Sequence, residues 1–484
     1  MRAGRAGGAR LAGLLTIASA LCALAPWPGG ASAMSLQEAL ATAYQYNPTL
    51  QSQRARLRET DEGVPQALAN WRPTVTFTGS AGVARGESNA ATASVFFPVY
   101  EGHQITLTPR ILDMSVVQPL YRGGRTVAQT SEAENLVRAA RAQTMVQEEQ
   151  TLFNVVQSYI DVVQDQAVLD LNINSEQVLR RQLEATLDRF QAGEVTRTDV
   201  SQAEATLAQA KAGRIQAEGT LELVRATFTR LVGEQPGLLA APKARPILPA
   251  SRGEVSTLAA RNNPNVILAL FNEAAARDNV QTLRGQLLPQ ISLVGDANRS
   301  EETFIKEFRQ NTFSILARMT WSLYDGGAVY SETRQALETL GERRMEVDDA
   351  RRQSVQQAQS DWETLKSKRA GVVSLVASVE ANEIAYEGVQ QEALVGARTV
   401  LDVLTQEQAL FTSRVQLVQA QHDEFVAEFA VTQDVGRLTA FDLKLPVQLY
   451  DADRHYREVR GKWFGFTPGD AAGGAAQPPA QVDR

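Results

Sequence analysis

Two hydrophobic patterns divide the chain into long helical stretches and short extended runs. Residues 125–190 are rich in Ala, Gln, Glu, Leu and Arg, which favour helix, and no proline stands between Pro119 and Pro236. Apolar residues recur there at a spacing of three and four, with a single Gln among them: Leu152, Val155, Tyr159, Val162, Gln166, Leu169 and Ile173. This heptad pattern predicts a coiled-coil helix roughly 100 Å long. Residues 328–392 predict a second helix of similar length.

Four shorter runs follow a period of two, which is typical of β-strands. The clearest extends from Phe313 to Leu323, where apolar residues alternate with mostly polar ones. The others begin at Pro73, Gln104 and Pro289, and an ordinary hairpin packed on helices is one interpretation of each pair. Runs of 11–17 residues are long for such hairpins, however, and long enough for membrane strands of about 9–11 residues.

The same order of elements occurs twice along the chain. Asn47-Pro48, in the middle of a first helical stretch, recurs 216 residues later as Asn263-Pro264. The sequence Leu-Tyr-x-Gly-Gly that ends the second extended run at Leu120 recurs 203 residues later, at Leu323. These matches predict two structural repeats, each with short helices, two strands, a long helix and a return helix. The first repeat has 13 more residues between its strands, which predicts a longer loop there.

The N-terminus predicts export. Arginines at positions 2, 5 and 10 precede the apolar stretch Leu11–Leu24, and Ala31-Ser32-Ala33 fits a cleavage site. The stretch is shorter than the ~20 residues of a membrane span, so a signal peptide is predicted rather than an anchor. The resulting division is a signal peptide 1–33, first repeat 34–233, linker 234–253, second repeat 254–441, C-terminal segment 442–466 and disordered tail 467–484.

Composition narrows the function further. A net charge of −7 gives no reason to expect a nucleic-acid partner. One cysteine, Cys22, and three scattered histidines provide no metal-ligand spacing. The sequence also contains no phosphate-binding glycine loop and no nucleophile elbow. We therefore expect no cofactor and no enzymatic activity.

The extended runs point to an oligomer if they enter a membrane. Lipid offers no hydrogen bonds, so a spanning sheet must close on itself, and about eight strands are needed for closure. Four strands per chain are too few, so the outer strands would pair with other copies. Together, the export signal, the strand pairs and the long helices predict an oligomeric duct. One end would lie in an outer membrane, and the long helices would lie in the periplasm. The alternative is a periplasmic coiled-coil scaffold or adaptor, which would leave the run Phe313–Tyr324 unexplained.

From Met34 to Leu443 the chain resembles the TolC-type outer-membrane channel proteins of type I secretion and multidrug efflux. The resemblance rests on the duplicated Asn-Pro, the repeated Leu-Tyr-x-Gly-Gly and the helix-turn motifs Gly193–Val200 and Gly396–Val403. It implies a homotrimer of mixed α and β structure in the Gram-negative outer membrane. Long α-helical hairpins would form a periplasmic tunnel, and four antiparallel strands per chain would form a shared twelve-stranded transmembrane β-barrel.

The resemblance also implies the surroundings of this trimer. Residues 234–253 and 442–466 would lie in a mixed equatorial belt. The partners would be outer-membrane lipid, a periplasmic adaptor (membrane fusion) protein and an inner-membrane ABC or RND transporter. The segment Leu445–Tyr450 resembles the secretion-associated members, but the transported substrate stays open.

The turns between the long and return helices carry the candidate site residues. Gly193 and Glu194 in the first repeat, with Gly396 and Ala397 in the second, would be docking points for the adaptor. A glycine needed only to turn the chain explains them equally well. Asp199 and Asp402 follow the turns, where Asp favours a helix start, so helix capping is their simplest role.

The resemblance adds a gating role at these turns. Arg398 would pair with Asp199 or Thr198 to hold the periplasmic mouth closed, and Asp402 would supply an acidic ring at the constriction. Two positions depart from the family pattern: Thr405 replaces a second acidic residue, and Ala393 replaces a linking Tyr. We therefore expect a less acidic and less tightly latched mouth. Three like charges near one axis repel each other, which favours cation selectivity and dilation.

Overall fold

The computed structural model describes residues 34–93, 98–237, 239–242, 245–303 and 306–466. The predicted signal peptide and C-terminal tail lie outside the described residues. The described helices are α1 Leu36–Tyr46, α2 Pro48–Asp61, α3 Gly63–Ala69, α4 Arg125–Gln191, α5 Arg197–Val232, α6 Arg252–Asn262, α7 Pro264–Arg284, α8 Ala328–Leu394, α9 Val400–Asp434 and α10 Arg454–Val459. The described strands are β1 Thr74–Ala81, β2 Ala84–Ala93, β3 Pro98–Leu107, β4 Arg110–Arg122, β5 Gln290–Glu301 and β6 Arg309–Thr320.

The predicted long helices are confirmed. α4 and α8 each contain 67 residues and start 203 positions apart. Each runs antiparallel to its return helix, α5 or α9, and forms a long hairpin. Within the described segments, none of the helices is long and apolar enough to cross a membrane.

The duplicated Asn-Pro joins two helices and ties them to a third. The Asn47 side chain accepts from the backbone N–H groups of Thr49 and Leu50, which caps α2, and Pro48 occupies the first helical position. Its amide group also donates to the carbonyl of Leu231 on α5 at 2.9 Å. Asn263 does the same in the second repeat, where its amide donates to Asp434 at 3.0 Å. The motif therefore fixes the short helices against the end of each return helix.

Equivalent positions form the hydrophobic core of each repeat. In the first repeat, the core gathers apolar side chains from three helices: Ala39 and Ala43 on α1, Val155 and Val162 on α4, and Phe228 and Val232 on α5. In the second, the counterparts at the two offsets are Val255, Ala259, Ala358, Leu365, Val431 and Val435. The heptad pattern is confirmed where it crosses the first core, since its members Leu152, Val155, Tyr159 and Val162 are all buried there.

The main sheet is antiparallel, in the order β1-β4-β5-β6. Thr74 lies opposite Val117 in the first hairpin, and Gln290 lies opposite Thr320 in the second. Shifting the first pair by the offsets 216 and 203 gives the second pair, so both hairpins share one register. The duplication therefore extends from sequence motifs to individual strand pairs.

Two details of the strands differ from expectation. In the described part of the predicted loop of the first repeat, β2 and β3 pair instead as a two-stranded extension beyond β1 and β4. The fourth strand ends at Thr320 rather than near Tyr324. The indole N–H of Trp321 donates to the carbonyl of Leu287 at 3.0 Å, and the Asp325 carboxylate accepts from Gly327 and Val329. These bonds turn the chain into α8.

Candidate functional site

The four-stranded sheet has two chemically different faces. One face exposes large apolar side chains, each 46% to 76% accessible: Val75, Phe77, Leu112, Met114, Phe313, Ile315 and Met319. On the other face, neighbouring rows contain Thr76, Ser115, Asp296 and Ser314, then Thr78, Asp113, Asn298 and Thr312. The Ser115 hydroxyl donates to Asp296 at 2.6 Å, and the Asn298 amide donates to Asp113 at 3.2 Å. One face suits lipid and the other suits water.

The two helix-to-helix turns are built identically. Gly193 and Gly396 both have φ of +79°, a left-handed conformation in which an L side chain is strained. The backbone N–H of Glu194 donates to Arg189, and that of Ala397 donates to Glu392, both at 2.9 Å. These are the bonds of a Schellman helix end. The requirement for glycine is therefore conformational in both turns.

Both return helices start with a capping box. Thr196 and Thr399 are the N-cap residues, and Asp199 and Asp402 stand three positions later. Each Asp carboxylate accepts from the Thr backbone N–H and hydroxyl, at 2.7 to 2.9 Å. The two carboxylates therefore contribute to the caps, although not as N-cap residues themselves.

These hydrogen bonds keep both carboxylates charged. Hydrogen bonds from the Thr196 hydroxyl and backbone lower the pKa of Asp199. The backbone N–H and hydroxyl of Thr399 lower the pKa of Asp402. Both groups are partly exposed, so each turn presents a negative charge to solvent at neutral pH.

Arg398 has a partner inside its own turn. Its Nε lies 2.8 Å from Glu392 Oε2, and both side chains are half exposed. The first turn contains the reversed pair, in which Arg189 Nε lies 3.2 Å from Glu194 Oε2. The predicted contact of Arg398 with Asp199 or Thr198 stays a prediction, and Glu392 competes for the same guanidinium.

An apolar cluster joins the two hairpins near these turns. It combines residues of α4 and α5 with residues of α9: Leu179, Ala203, Leu207, Val400 and Leu404. Val400 and Leu404 follow the second turn directly and are both 5% exposed. The tips of the two hairpins are thus packed together within one chain.

A histidine provides a second link between the hairpins. His422 Nε2 on α9 lies 2.7 Å from Asp161 Oδ1 on α4, and its Nδ1 lies 3.0 Å from Asp423 Oδ1. Burial opposes protonation of His422, but the two carboxylates outweigh it and raise its pKa. Sequence reasoning missed this link, since His422 and Asp161 are 261 residues apart and no spacing connects them.

The profile of the outer membrane efflux protein family matches residues 39–234 and 255–437. The chain belongs to this family. It is 33% identical over 444 residues to the outer membrane efflux protein BepC of Brucella suis biovar 1, covering 91% of this chain and 94% of BepC. It is 25% identical to the alkaline protease secretion protein AprF of Pseudomonas aeruginosa, covering 69% and 70% of the two chains.

Solved structures share the fold of this outer membrane efflux protein. The Campylobacter jejuni CmeC outer membrane channel superposes with a TM-score of 0.72 at 15% identity, over 94% of this chain and 98% of that one. The Vibrio cholerae outer membrane protein VceC gives a TM-score of 0.70 at 19% identity, over 83% and 96%. The predicted TolC-type family, fold class and outer-membrane location are confirmed. The family consists of channel proteins rather than enzymes.

Ion pairs hold the linker between the two repeats against the second hairpin. Arg245 Nη1 lies 2.9 Å from both Glu424 and Glu428 on α9, and Glu428 also binds Arg369 on α8 at 2.7 Å. Glu428 is fully buried, and one of its oxygens lacks a hydrogen-bond partner among the described residues. Burying such a carboxylate is costly unless it is paired, so Arg245 holds the linker close to the second hairpin.

Proposed function

We propose that this protein is the homotrimeric exit duct of a type I secretion or efflux system. It would receive substrates from an inner-membrane ABC or RND transporter and a periplasmic adaptor, and release them through the outer membrane. The supporting observation is the sheet, which combines a solvent-exposed apolar face with two edge strands, β1 and β6.

The edges explain why three chains are needed. The N–H and C=O groups of an edge strand cannot remain unsatisfied in lipid. Pairing β6 of one chain with β1 of the next satisfies them and closes a β-barrel of twelve strands, which encloses water. A soluble scaffold or adaptor would have no use for Phe77, Phe313 and Ile315 on an exposed face.

The turns would form the periplasmic mouth of the duct. Asp402, kept ionised by its capping box, would supply three charges around the axis and favour cations. Thr405 adds no charge, and its hydroxyl donates to the carbonyl of Leu401 at 2.8 Å. Gly193, Glu194, Gly396 and Ala397 are exposed at the hairpin ends, where an adaptor would reach them.

Two measurements test the duct. In detergent the protein should have three times the mass of one chain, and in planar bilayers it should form cation-selective channels. Asp402→Asn should reduce cation selectivity without changing the mass. A monomer that stays soluble without detergent would refute the duct and favour a periplasmic scaffold.

The predicted latch is tested in the same bilayers. Arg398→Ala and Asp199→Ala should raise conductance if this pair holds the mouth closed. Glu392→Gln is the discriminating control, because it frees Arg398 for Asp199 and should lower conductance. Unchanged conductance in the first two variants would refute the proposed latch but leave the proposed duct unaffected.

Capture of the partners distinguishes secretion from efflux. The relatives include an efflux protein and a protease secretion protein by name, so both cargo classes are compatible with the family. Co-purification of the cross-linked inner-membrane transporter should recover an ABC protein for secretion or an RND protein for efflux.

A further inference from the structure

The C-terminal segment runs along α4 toward the sheet. Because α4 begins directly after β4, lower residue numbers on α4 lie closer to the sheet. The chain contacts α4 at three successively lower positions: the backbone N–H of Ala440 donates to Glu148 at 2.9 Å, Asp453 pairs with Arg141 at 2.6 Å, and Arg460 pairs with Glu134 at 3.0 Å. The contacts on α4 thus move roughly 20 Å toward the sheet.

The segment ends at the base of the sheet, where the strands join the helices. Arg72, two residues before β1, donates from Nη1 to the carbonyl of Lys462 at 2.8 Å. Its guanidinium also lies 4.8 Å from the centroid of the Trp463 ring. In the middle of the segment, His455 Nδ1 lies 3.0 Å from the buried Asp61 Oδ2 on α2. The end of the segment is therefore held in place by contacts on both sides of α10.

Three aromatic side chains are exposed at this end. Trp463, Phe464 and Phe466 are each more than half exposed, and Phe464 is 87% exposed. The ring centroids of Trp463 and Phe464 are 6.4 Å apart, so these two form one cluster. Large aromatic groups gain much from burial, and a fixed cluster of them at the surface indicates contact with an apolar partner.

The turn that holds this end lies on the apolar side of the sheet. Gln118 stands four residues after Met114 on β4, so both side chains are on the apolar face. The Gln118 amide donates to the carbonyl of Trp71 at 2.9 Å, which draws the turn between α3 and β1 to that side. Arg72 belongs to the same turn and brings Trp463 next to the face that suits lipid.

The second repeat has an indole of its own at this level. The offset of 203 converts Gln118 into Trp321, which donates to Leu287 at 3.0 Å as Gln118 donates to Trp71. Trp321 follows the apolar row of β6 and is 53% exposed. Tryptophan is enriched where a membrane meets water. In the first repeat this position is an amide, and the C-terminal segment brings Trp463 to the same level instead.

We propose that the C-terminal segment binds the periplasmic leaflet of the outer membrane through Trp463, Phe464 and Phe466. The rings enter the boundary between headgroups and acyl chains, and the Arg72 guanidinium beside them meets the lipid phosphates. The partner is phospholipid because this surface continues the apolar face of the sheet. The proposal rests on the outer-membrane location and is independent of the number of chains and of the cargo.

Tryptophan fluorescence in bilayers tests this contact. Of the five tryptophans, Trp27 lies in the predicted signal peptide. Trp71→Phe, Trp321→Phe and Trp362→Phe together leave Trp463 as the only tryptophan of the exported chain. In bilayers of phospholipids brominated near the headgroup end of the acyl chains, its emission should fall about two-fold relative to unbrominated lipid.

Two other single-tryptophan variants are matched controls. The variant that retains only Trp321 should be quenched to a similar extent. The variant that retains only Trp362 should keep its emission, because Trp362 packs against the core of the second repeat. Quenching of Trp321 without quenching of Trp463 would overturn the proposal. Quenching of neither would refute the lipid-facing sheet as well, and with it the proposed duct.

Deletion of residues 467–484 tests whether the remainder of the chain covers the rings instead. The quenching of Trp463 should be the same with and without these residues. Quenching that appears only after the deletion would assign the rings to the chain's own C-terminus and overturn the proposal.

Thiol labelling gives a second readout that keeps two of the three rings. The exported chain has no other cysteine, since Cys22 lies in the predicted signal peptide. Phe464 and Glu458 on α10 are both exposed in the isolated chain. In bilayers, Phe464→Cys should react with a water-soluble maleimide about ten-fold more slowly than Glu458→Cys, because lipid covers only the first. Equal rates would contradict the proposal.

Discussion

The two repeats of this outer-membrane channel protein have nearly the same backbone and different surfaces. Backbone-defining residues recur: the Asn-Pro joints, the left-handed glycines and the Thr-Asp capping boxes. Side chains at other equivalent positions do not. Glu148 and Glu149 are largely buried on α4, whereas their counterparts Arg351 and Arg352 are exposed on α8.

The end of the second repeat and the C-terminal segment after it account for part of this difference. The Glu148 carboxylate accepts from the backbone N–H of Ala440 at 2.9 Å. Arg54 lies between two rings, 4.4 Å from the centroid of Tyr44 and 4.9 Å from that of Tyr450. In the second repeat, the position of Arg54 is occupied by Leu270, which is 41% exposed. Duplication therefore preserved the elements while each repeat adapted to a different neighbour.

Replacing the buried Glu149 should have the largest effect on stability. Burial, followed by the nearby Glu148, raises the pKa of Glu149 to about 9. In the unfolded chain the Glu149 carboxyl has its ordinary pKa of 4.5. Between pH 4.5 and about 9 the folded state therefore binds more protons than the unfolded state. Stability should therefore fall as pH rises from about 5 to 9, by up to about 1.4 kcal/mol per pH unit.

Glu149→Gln should remove most of this slope and raise the melting temperature at pH 8. The measurement is thermal unfolding of the detergent-solubilised protein at several pH values. Arg352→Gln, at the equivalent exposed position, should change neither quantity. A slope that persists in Glu149→Gln would assign it to another group.

The two cores should also respond unequally. Phe228 and Val431 occupy equivalent positions and are both fully buried. Phe228→Ala should reduce the free energy of unfolding by about 3–5 kcal/mol, because it leaves a cavity beside Tyr159. Val431→Ala removes two methyl-sized groups and should cost less, about 1–2 kcal/mol. Denaturant unfolding of each variant measures the difference, and equal losses would contradict the unequal cores.

Local patterns in the sequence predicted most of the backbone. The Asn-Pro joints, the absence of proline in α4 and α8, and the alternation around Phe313 each act over a few residues. The helix-to-helix turns followed as well, because Gly193 and Gly396 need a left-handed φ for local reasons.

Long-range contacts were not predictable in this way. The pairing of β2 with β3 could not be predicted from the sequence. β2 is rich in Ala and polar residues, so it lacks the alternation of apolar and polar positions that indicates a strand. The His422–Asp161 link and the Arg245 tether connect residues far apart in sequence. At the turns, the pairing of Arg398 with Glu392 is visible only in the three-dimensional structure, and the gating role of these residues stays a prediction.

Substitutions of the two turn glycines should destabilise the two repeats equally. Gly193→Ala and Gly396→Ala each force a side chain into φ of +79°, which should cost about 1–2 kcal/mol in both turns. Asn, which tolerates this conformation better, is the milder control at each site. Denaturant unfolding should give equal losses within error. A loss of transport in one Ala variant at preserved stability would instead support its role in docking the adaptor.

Removing the N-cap threonine of each return helix should have equal effects on stability in the two repeats but unequal effects on ion selectivity. Thr196→Ala and Thr399→Ala each remove an N-cap and should cost about 1 kcal/mol of stability, equally in the two repeats. Each also removes a hydroxyl hydrogen bond that lowers the pKa of the following Asp, so that Asp would titrate at a higher pH.

If Asp402 alone supplies the charged ring, only Thr399→Ala should shift the pH at which cation selectivity is lost. Selectivity is measured as the reversal potential in a salt gradient at a series of pH values. Thr196→Ala is the matched control, with equal destabilisation and an unchanged pH midpoint. Equal shifts in both variants would place Asp199 beside Asp402 at the constriction, because only a carboxylate near the conducting path can impose its titration on the ion current.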